Sequence, residues 1–384
     1  MRRDGPAPAL DTEAPPRAVP LTPVPPEVRP VAAEARQDGL DVLRALAILP
    51  VLLFHAPEQI YQALPPFLQH ATRFGWMGVD LFFVLSGYLI GRQVFSASAE
   101  APLSTQLRHF WVKRWTRTLP LYFLVLGTYA FIKPWLFKAP FVGGSWHYVL
   151  FLQNYRPLQD FLQSWSLCVE EHFYLVLPLL AFGLRARSWP AWVWLLPAGA
   201  SLVARALVSR TIPADTPLLE LFPLLHWPTH LHLDGLAVGV FLACTAPRWR
   251  SWPVWRKVAS ALTGSGVLAV TLTLCGSLQN EAARLWVFTG LSVGFGLVLL
   301  GMESMRLPTL VRKGVYAVAV TSYGAYLWHS LVVRAFERSH LTLGAWGLDL
   351  LAFIGVTLLV SALTYRLVEK PGLKLRRWLL GASR

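Results

Sequence analysis

Long apolar runs, rather than alternating polar and apolar positions, dominate the chain after about residue 36. Stretches such as LAILPVLLF and LSVGFGLVLL do not alternate, which excludes the roughly 10-residue alternating segments of a transmembrane β-barrel. Several runs approach the roughly 20 residues that an α-helix needs to cross a bilayer. The pattern predicts about ten membrane-spanning helices, at residues 40–57, 77–94, 119–137, 168–184, 190–208, 229–246, 258–276, 285–302, 315–333 and 347–367.

The first 36 residues have a different composition, in which Pro, Ala and charged residues are mixed in PAPALDTEAPPRAVPLTPVPPEVRP. A stretch of this kind lacks the apolar side chains of a buried core and is typical of a disordered or polyproline-II segment. The sequence therefore predicts three parts: a disordered Pro-rich cytoplasmic tail at 1–36, a transmembrane domain at 37–378 and a short cytoplasmic end at 379–384.

The overall composition agrees with a polytopic membrane protein of the all-α class. Of the 384 residues, 54% are hydrophobic and only 15% are charged, whereas soluble domains average about 25% charged residues. With both termini in the cytoplasm, the ten spans place 26 of the 35 Lys and Arg residues on the cytoplasmic side. This bias follows the positive-inside rule, so the net charge of +14 indicates orientation in a lipid bilayer and does not call for a nucleic-acid partner.

Ionisable residues recur at one depth, in the outer half of the predicted membrane region. Such groups are costly inside a bilayer, and their usual role is functional. They lie on four different predicted helices, which favours one shared polar cavity. The residues are His55, the adjacent pair Glu170 and Glu171, Asp234 and His329, with Asp80 as a further candidate.

A histidine beside a carboxylate suits proton transfer. The carboxylate can fix the tautomer of the imidazole, which then activates a hydroxyl for acyl transfer. The same residue types also serve proton-coupled transporters, so a transporter or acyl-group exporter that forms no ester stays open. A metal site is not favoured, because the chain has no HExxH motif and its three cysteines lie far apart without CxxC spacing.

The opposite face of the predicted bundle is basic. The stretch FWVKRWTRTLPLYF carries Arg114 and Arg117 just before the third span, and Arg44 lies eleven residues before His55 on the first. Eleven residues correspond to roughly 16 Å along a helix. These arginines are either anchors at the membrane interface or a patch that binds phosphate, since guanidinium groups match phosphoryl oxygens.

Several stretches, taken in order, resemble the acyltransferase-3 family of integral-membrane acyltransferases, which includes sugar and polysaccharide O-acetylases and macrolide acyltransferases. They cover residues 38 to about 377. The stretches are GLDVLRALAILPVLLFH, GVDLFFVLSGYLIG, VKRWTRTLPLYF, SWSLCVEEHFYL, LDGLAVGV, SYGAYLWHS and LVEKPGLKLRR.

The resemblance implies ten core helices in a bacterial inner or plasma membrane. It implies an acyl-CoA donor, acetyl-CoA above all, that is reached from the cytosol. The acceptor would be a hydroxyl of a sugar-containing molecule: a polysaccharide, a lipid-linked glycan or a glycosylated metabolite. No metal is implied.

The resemblance also assigns roles to residues. The arginine–ten residues–histidine motif falls on Arg44 and His55, which implies that His55 is the catalytic base, and the RxxR motif implies donor contact by Arg114 and Arg117. Arg44 would join these two arginines in holding the CoA phosphates. The WSLxxEE motif covers the catalytic candidates Glu170 and Glu171. It also covers Trp165, a candidate for substrate binding. The other candidates for substrate binding are Asp234, His329 and Asp80.

Overall fold

The computed structural model describes residues 37–97, 100–132, 134–135, 138, 141, 145–156, 160–340 and 342–381. The predicted tail at 1–36 and the last three residues of the predicted C-terminal end lie outside the described residues. Within the described ranges the regular structure is helical and no strand occurs. The predicted all-α class is confirmed.

Ten helices of 14 residues or more occur in the described part of the chain, and each overlaps one predicted span. They are α1 (Asp38–Phe54), α2 (Gly78–Phe95), α3 (Leu103–Gly127), α4 (Ser164–Pro178), α5 (Leu196–Ser209), α6 (Asp234–Trp249), α7 (Val254–Cys275), α8 (Glu281–Met302), α9 (Thr309–Ser339) and α10 (Trp346–Thr364). Shorter helices occupy Glu58–Ala63, Pro66–Thr72, Ser145–Val149, Leu218–Leu221 and Lys370–Leu379.

In the part of the chain that the structure describes, six helical stretches are long and apolar enough to cross a membrane, which makes the chain a multi-pass integral membrane protein. They are Pro66–Phe95, Ser164–Gly183, Ala191–Ser209, Val254–Cys275, Glu281–Met302 and Trp346–Leu379. Helices α1 and α6 are shorter, with 17 and 16 residues. Ten crossings and cytoplasmic termini stay predictions.

The innermost helices meet through small residues. Helices α2 and α6 pack so closely that a Cβ atom on Gly87 would lie 2.2 Å from the carbonyl oxygen of Leu236. A Cβ atom on Gly239 would likewise lie 2.3 Å from the carbonyl oxygen of Val84. Only glycine permits such an approach of two backbones in a bilayer. The segment around Ser86 and Gly87 of α2 is therefore a surface that packs against α6.

The helices differ in how much of their surface is buried within the protein. Helices α5, α7 and α10 present large apolar side chains such as Leu207, Leu262 and Leu359 at the surface, as expected of side chains that face lipid. Helix α1 instead packs against α2 and α9. The polar side chains that could take part in catalysis lie between α1, α2 and α9 and the neighbouring helices α3 and α4.

Candidate active site

A cavity of about 120 Å³ lies among helices α1, α2, α3, α4 and α9. We call it the arginine cavity, because Arg44 from α1 and both Arg114 and Arg117 from α3 line it. Glu170 from α4 is the carboxylate in its lining, and hydroxyl groups complete the polar wall. These come from Ser86, Thr118, Ser166, Tyr174, Ser322, Tyr323 and Tyr326.

The three arginines differ in their side-chain contacts and in their exposure. Arg44 donates from Nη1 to Oδ1 of Asp41 at 3.0 Å. The Arg114 guanidinium lies 4.3 Å from the ring centroid of Tyr174 and donates to Oγ of Ser86 at 3.5 Å. Arg117 is exposed, and it lines the cavity. Three guanidinium groups and one carboxylate leave the lining with excess positive charge, which suits an anion with several phosphoryl oxygens.

The two adjacent glutamates face different parts of the protein. Because α4 begins at Ser164, Glu170 lies six residues inside the helix, roughly 9 Å from its start, and it faces the arginines. Glu171 is 5% exposed and accepts hydrogen bonds from Nε1 of Trp115 at 3.2 Å and from Oγ1 of Thr118 at 3.1 Å. Glu171 therefore joins α4 to α3.

His55 caps the C-terminal end of α1, and its side chain is oriented by its own helix. The ring Nδ1 lies 2.9 Å from the carbonyl oxygen of Val51. A carbonyl oxygen can only accept, so Nδ1 carries the proton and Nε2 presents the lone pair of a neutral imidazole. The Val51 carbonyl therefore fixes the tautomer of His55, a role that the sequence suggested for a carboxylate.

His329 on α9 adjoins His55, with 4.8 Å between the ring centroids. Its Nδ1 lies 2.7 Å from the carbonyl oxygen of Tyr326, so both histidines have the same tautomer. His329 is fully buried, whereas His55 is exposed.

Tyr326 connects the arginine cavity to the two histidines. It lines the cavity, and its ring centroid lies 5.7 Å from that of His329. Its hydroxyl lies 2.7 Å from Oγ of Ser166, which also lines the cavity. The arginines and the histidines are therefore linked through one continuous group of side chains.

Asp234 does not join this group, contrary to the expectation of a single shared cavity. Both of its oxygens accept from Arg205, at 2.7 and 2.9 Å, and the two side chains are 0% exposed. Thr289 also donates to Asp234, at 2.6 Å. Arg205 is not among the residues predicted from the sequence, although an arginine inside the apolar run LPAGASLVARALVS is itself a signal of a buried partner.

Asp80 and Trp165 lie behind the cavity wall. Asp80 Oδ1 is 2.9 Å from Nε2 of His232, and the Trp165 ring stacks on the same histidine at 5.5 Å between centroids. Trp165 also meets Phe83 edge-on at 6.0 Å, and Phe83 lines the arginine cavity. The pair therefore supports the wall, where the sequence suggested direct contact with substrate.

A protein-family model described as an acyltransferase domain matches residues 37–366. The chain belongs to this acyltransferase family. The family match confirms the resemblance drawn from the motifs that span residue 38 to about 377. Among the described residues, no group of three or more His, Cys, Asp or Glu side chains could hold a metal ion.

The curated relatives that match this acyltransferase chain include proteins of Staphylococcus aureus. A provisionally named O-acetyltransferase of strain COL is 26% identical over 377 residues, which cover 88% of this chain and 58% of the relative. The O-acetyltransferase OatA of strain NCTC 8325 is 26% identical over 364 residues, with 87% and 56% covered. The chain thus spans just over half the length of the curated relatives it matches. No solved structure gives a significant match.

Proposed function

We propose that the protein transfers an acyl group, with acetyl as the expected chain, from acyl-CoA to a hydroxyl of a sugar-containing acceptor. One observation carries the proposal: three arginines line one cavity, and Tyr326 in its wall contacts the ring of His329, which adjoins His55. The family match and the O-acetyltransferase names of the relatives support the reaction class.

The arginines form the donor end of the proposed site. CoA carries a diphosphate, and the excess positive charge of Arg44, Arg114 and Arg117 suits it. Arg44 and His55 are separated by roughly 16 Å of helix, about the reach of an extended pantetheine arm. A diphosphate held at the arginines would thus let the thioester reach His55.

His55 supplies the base at the acceptor end. Its Nε2 takes the proton of the acceptor hydroxyl, whose oxygen attacks the thioester carbonyl carbon. The C–S bond breaks, an O–C bond forms, and the proton on His55 passes to the departing CoA sulfur. In the second route that the residues allow, Nε2 itself attacks the thioester and then passes the acyl group to the hydroxyl.

The glutamates play supporting roles in this proposal. Glu170 lines the cavity with the arginines, so it offsets part of their charge while no donor is bound. Glu171 fixes α4 against α3 through Trp115 and Thr118, and so keeps Glu170 at the level of Arg114 and Arg117.

The experiment that tests the function uses the purified protein in sealed proteoliposomes with acetyl-CoA radiolabelled in the acetyl group. Octyl glycosides of glucose and glucosamine serve as acceptor probes. The proposal expects a labelled sugar ester, identified by chromatography and mass spectrometry. A transporter or exporter would move label across the membrane with no new ester. Label movement without any ester would overturn the proposal.

A further inference from the structure

A second cavity, of about 310 Å³, lies beside the arginine cavity at the end of α2 and the start of α3. Gln93 of α2 and Thr105, Gln106, His109 and Lys113 of α3 supply its polar lining. Phe182, from the turn that follows α4, and Phe110 supply its apolar wall, with their rings edge-on at 6.5 Å. In the predicted orientation this cavity opens to the cytoplasm. The proposed transfer leaves it without a role.

One face of α3 joins the two cavities. Gln106, His109, Lys113 and Arg117 follow one another at spacings of three or four residues, which places them on the same side of the helix. The first three line the second cavity, and Arg117 lines the arginine cavity. The distance from Gln106 to Arg117 along the helix is roughly 16 Å. An elongated ligand could therefore occupy both cavities.

The lining has unused binding capacity. Lys113 is exposed, and among the described residues its ammonium group makes no hydrogen bond or ion pair. Gln106 donates from Nε2 to the carbonyl oxygen of Ala101 at 2.6 Å, but its buried Oε1 has no hydrogen-bond partner in the described part of the chain. A free cation, a free amide oxygen and two phenyl rings suit a phosphorylated nucleoside, which has a phosphate, an amino group and an aromatic base.

We propose that the second cavity binds the 3′-phosphorylated adenosine of the CoA donor, with Lys113 paired to the 3′-phosphate. This inference rests on the proposed function and deepens it. The order of groups along CoA matches the order of the cavities: nucleoside at Lys113, diphosphate at Arg114 and Arg117, and pantetheine arm toward His55.

The test compares two donors, acetyl-CoA and acetyl-3′-dephospho-CoA, on the wild type and on Lys113→Met. The dissociation constant and KM are measured for each combination. The wild type should prefer acetyl-CoA by about ten-fold or more, the value of one hydrogen bond to a charged group. Lys113→Met should bind both donors equally, at the affinity of the wild type for the dephospho donor.

Two further variants complete the design. Lys113→Arg keeps the charge and should keep the preference, while Lys313→Met removes an exposed lysine at the start of α9 and should leave the preference unchanged. Equal binding of both donors by the wild type, or a full preference in Lys113→Met, would overturn the inference. In either case transfer from acetyl-CoA would continue, whereas failure of the proposed function would leave no transfer from either donor.

Discussion

His55 and His329 lie with their ring centroids 4.8 Å apart, and each ring donates its Nδ1 proton to a carbonyl oxygen of its own helix. Both Nε2 atoms therefore present lone pairs when the rings are neutral. The difference between the two is access, since His55 is exposed and His329 is fully buried. His55 is thus the histidine that an acceptor can reach.

Replacing His55 with Asn separates the base from the hydrogen bond that orients it. The Asn amide nitrogen can still donate to the Val51 carbonyl, but it cannot accept a proton. His55→Asn should lower kcat by about 10²–10⁴-fold with the midpoint of thermal unfolding unchanged. His70→Asn, at an exposed histidine of the helix Pro66–Thr72, is the control. If His55→Asn kept most of the wild-type turnover, His55 could not be the catalytic base.

Arg114→Gln and Arg117→Gln should each raise the KM for acetyl-CoA more than they lower kcat. The reason is that these side chains are proposed to bind the donor phosphates in the ground state and the transition state alike. Arg108→Gln is the control on the same helix, because Arg108 lies outside the arginine cavity and donates to the Leu379 carbonyl at 2.7 Å. Steady-state kinetics with each substrate varied decides the matter: a rise in the acceptor KM instead would refute the donor assignment.

Glu171 should act on stability rather than on donor affinity. Glu171→Leu removes the acceptor of the partly buried Trp115 indole N–H, while Thr118 keeps the Arg114 carbonyl as its other acceptor. An unsatisfied buried donor costs about 1–3 kcal/mol, so the partly exposed Trp115 sets a loss near the lower end. Thr118→Val removes one of those donors, so the double variant should lose less stability than the sum of the two single losses. Thermal unfolding in detergent measures all three. If the two single losses of stability added up to the loss in the double variant, the hydrogen bond between Thr118 and Glu171 would not contribute to stability.

The buried Arg205–Asp234 pair should be intolerant of single substitutions. Removing one partner of such a pair costs about 3–5 kcal/mol, because the other charge is left buried alone. Asp234→Asn should therefore unfold at a clearly lower temperature, and Arg205→Met together with Asp234→Leu should be more stable than Asp234→Asn. A single variant as stable as the wild type would contradict the buried geometry.

Gly239→Ala should destabilise the protein, because its new methyl group would meet the backbone of α2 at the Val84 carbonyl. Gly199→Ala on α5 is the matched control, since a Cβ atom there meets nothing within 4 Å. Alanine is favoured over glycine in a helix by roughly 0.5–1 kcal/mol. Thermal unfolding should thus shift down for Gly239→Ala and up for Gly199→Ala. Equal shifts would show that α2 and α6 are not in close contact.

The positions of the long helices could be predicted because apolar runs mark them directly. The largest error is at α3, whose predicted span begins at residue 119 although the helix begins at Leu103. The basic stretch before residue 119 resembles a loop by hydropathy, but Arg, Lys, Leu and Gln are strong helix formers. The helix therefore continues through it and places Arg114 and Arg117 in the lining of the arginine cavity.

The grouping of side chains could be predicted only in part. Depth along the predicted helices placed Arg44, Arg114 and Arg117 near one face, and the structure brings them together. Depth could not show that Asp234 pairs with Arg205, because that pairing depends on which helices are neighbours. Glu170 lies deeper than predicted, since α4 begins four residues before the predicted span.

The most direct test of the proposed site is the structure of the protein with a non-hydrolysable acetyl-CoA analogue bound, determined by cryo-electron microscopy in a lipid nanodisc. We expect the diphosphate to lie against Arg114 and Arg117 and the acetyl group to contact the ring of His55. An acetyl group on the far side of Arg44 from His55, or a diphosphate in contact with none of the three arginines, would contradict the proposed site.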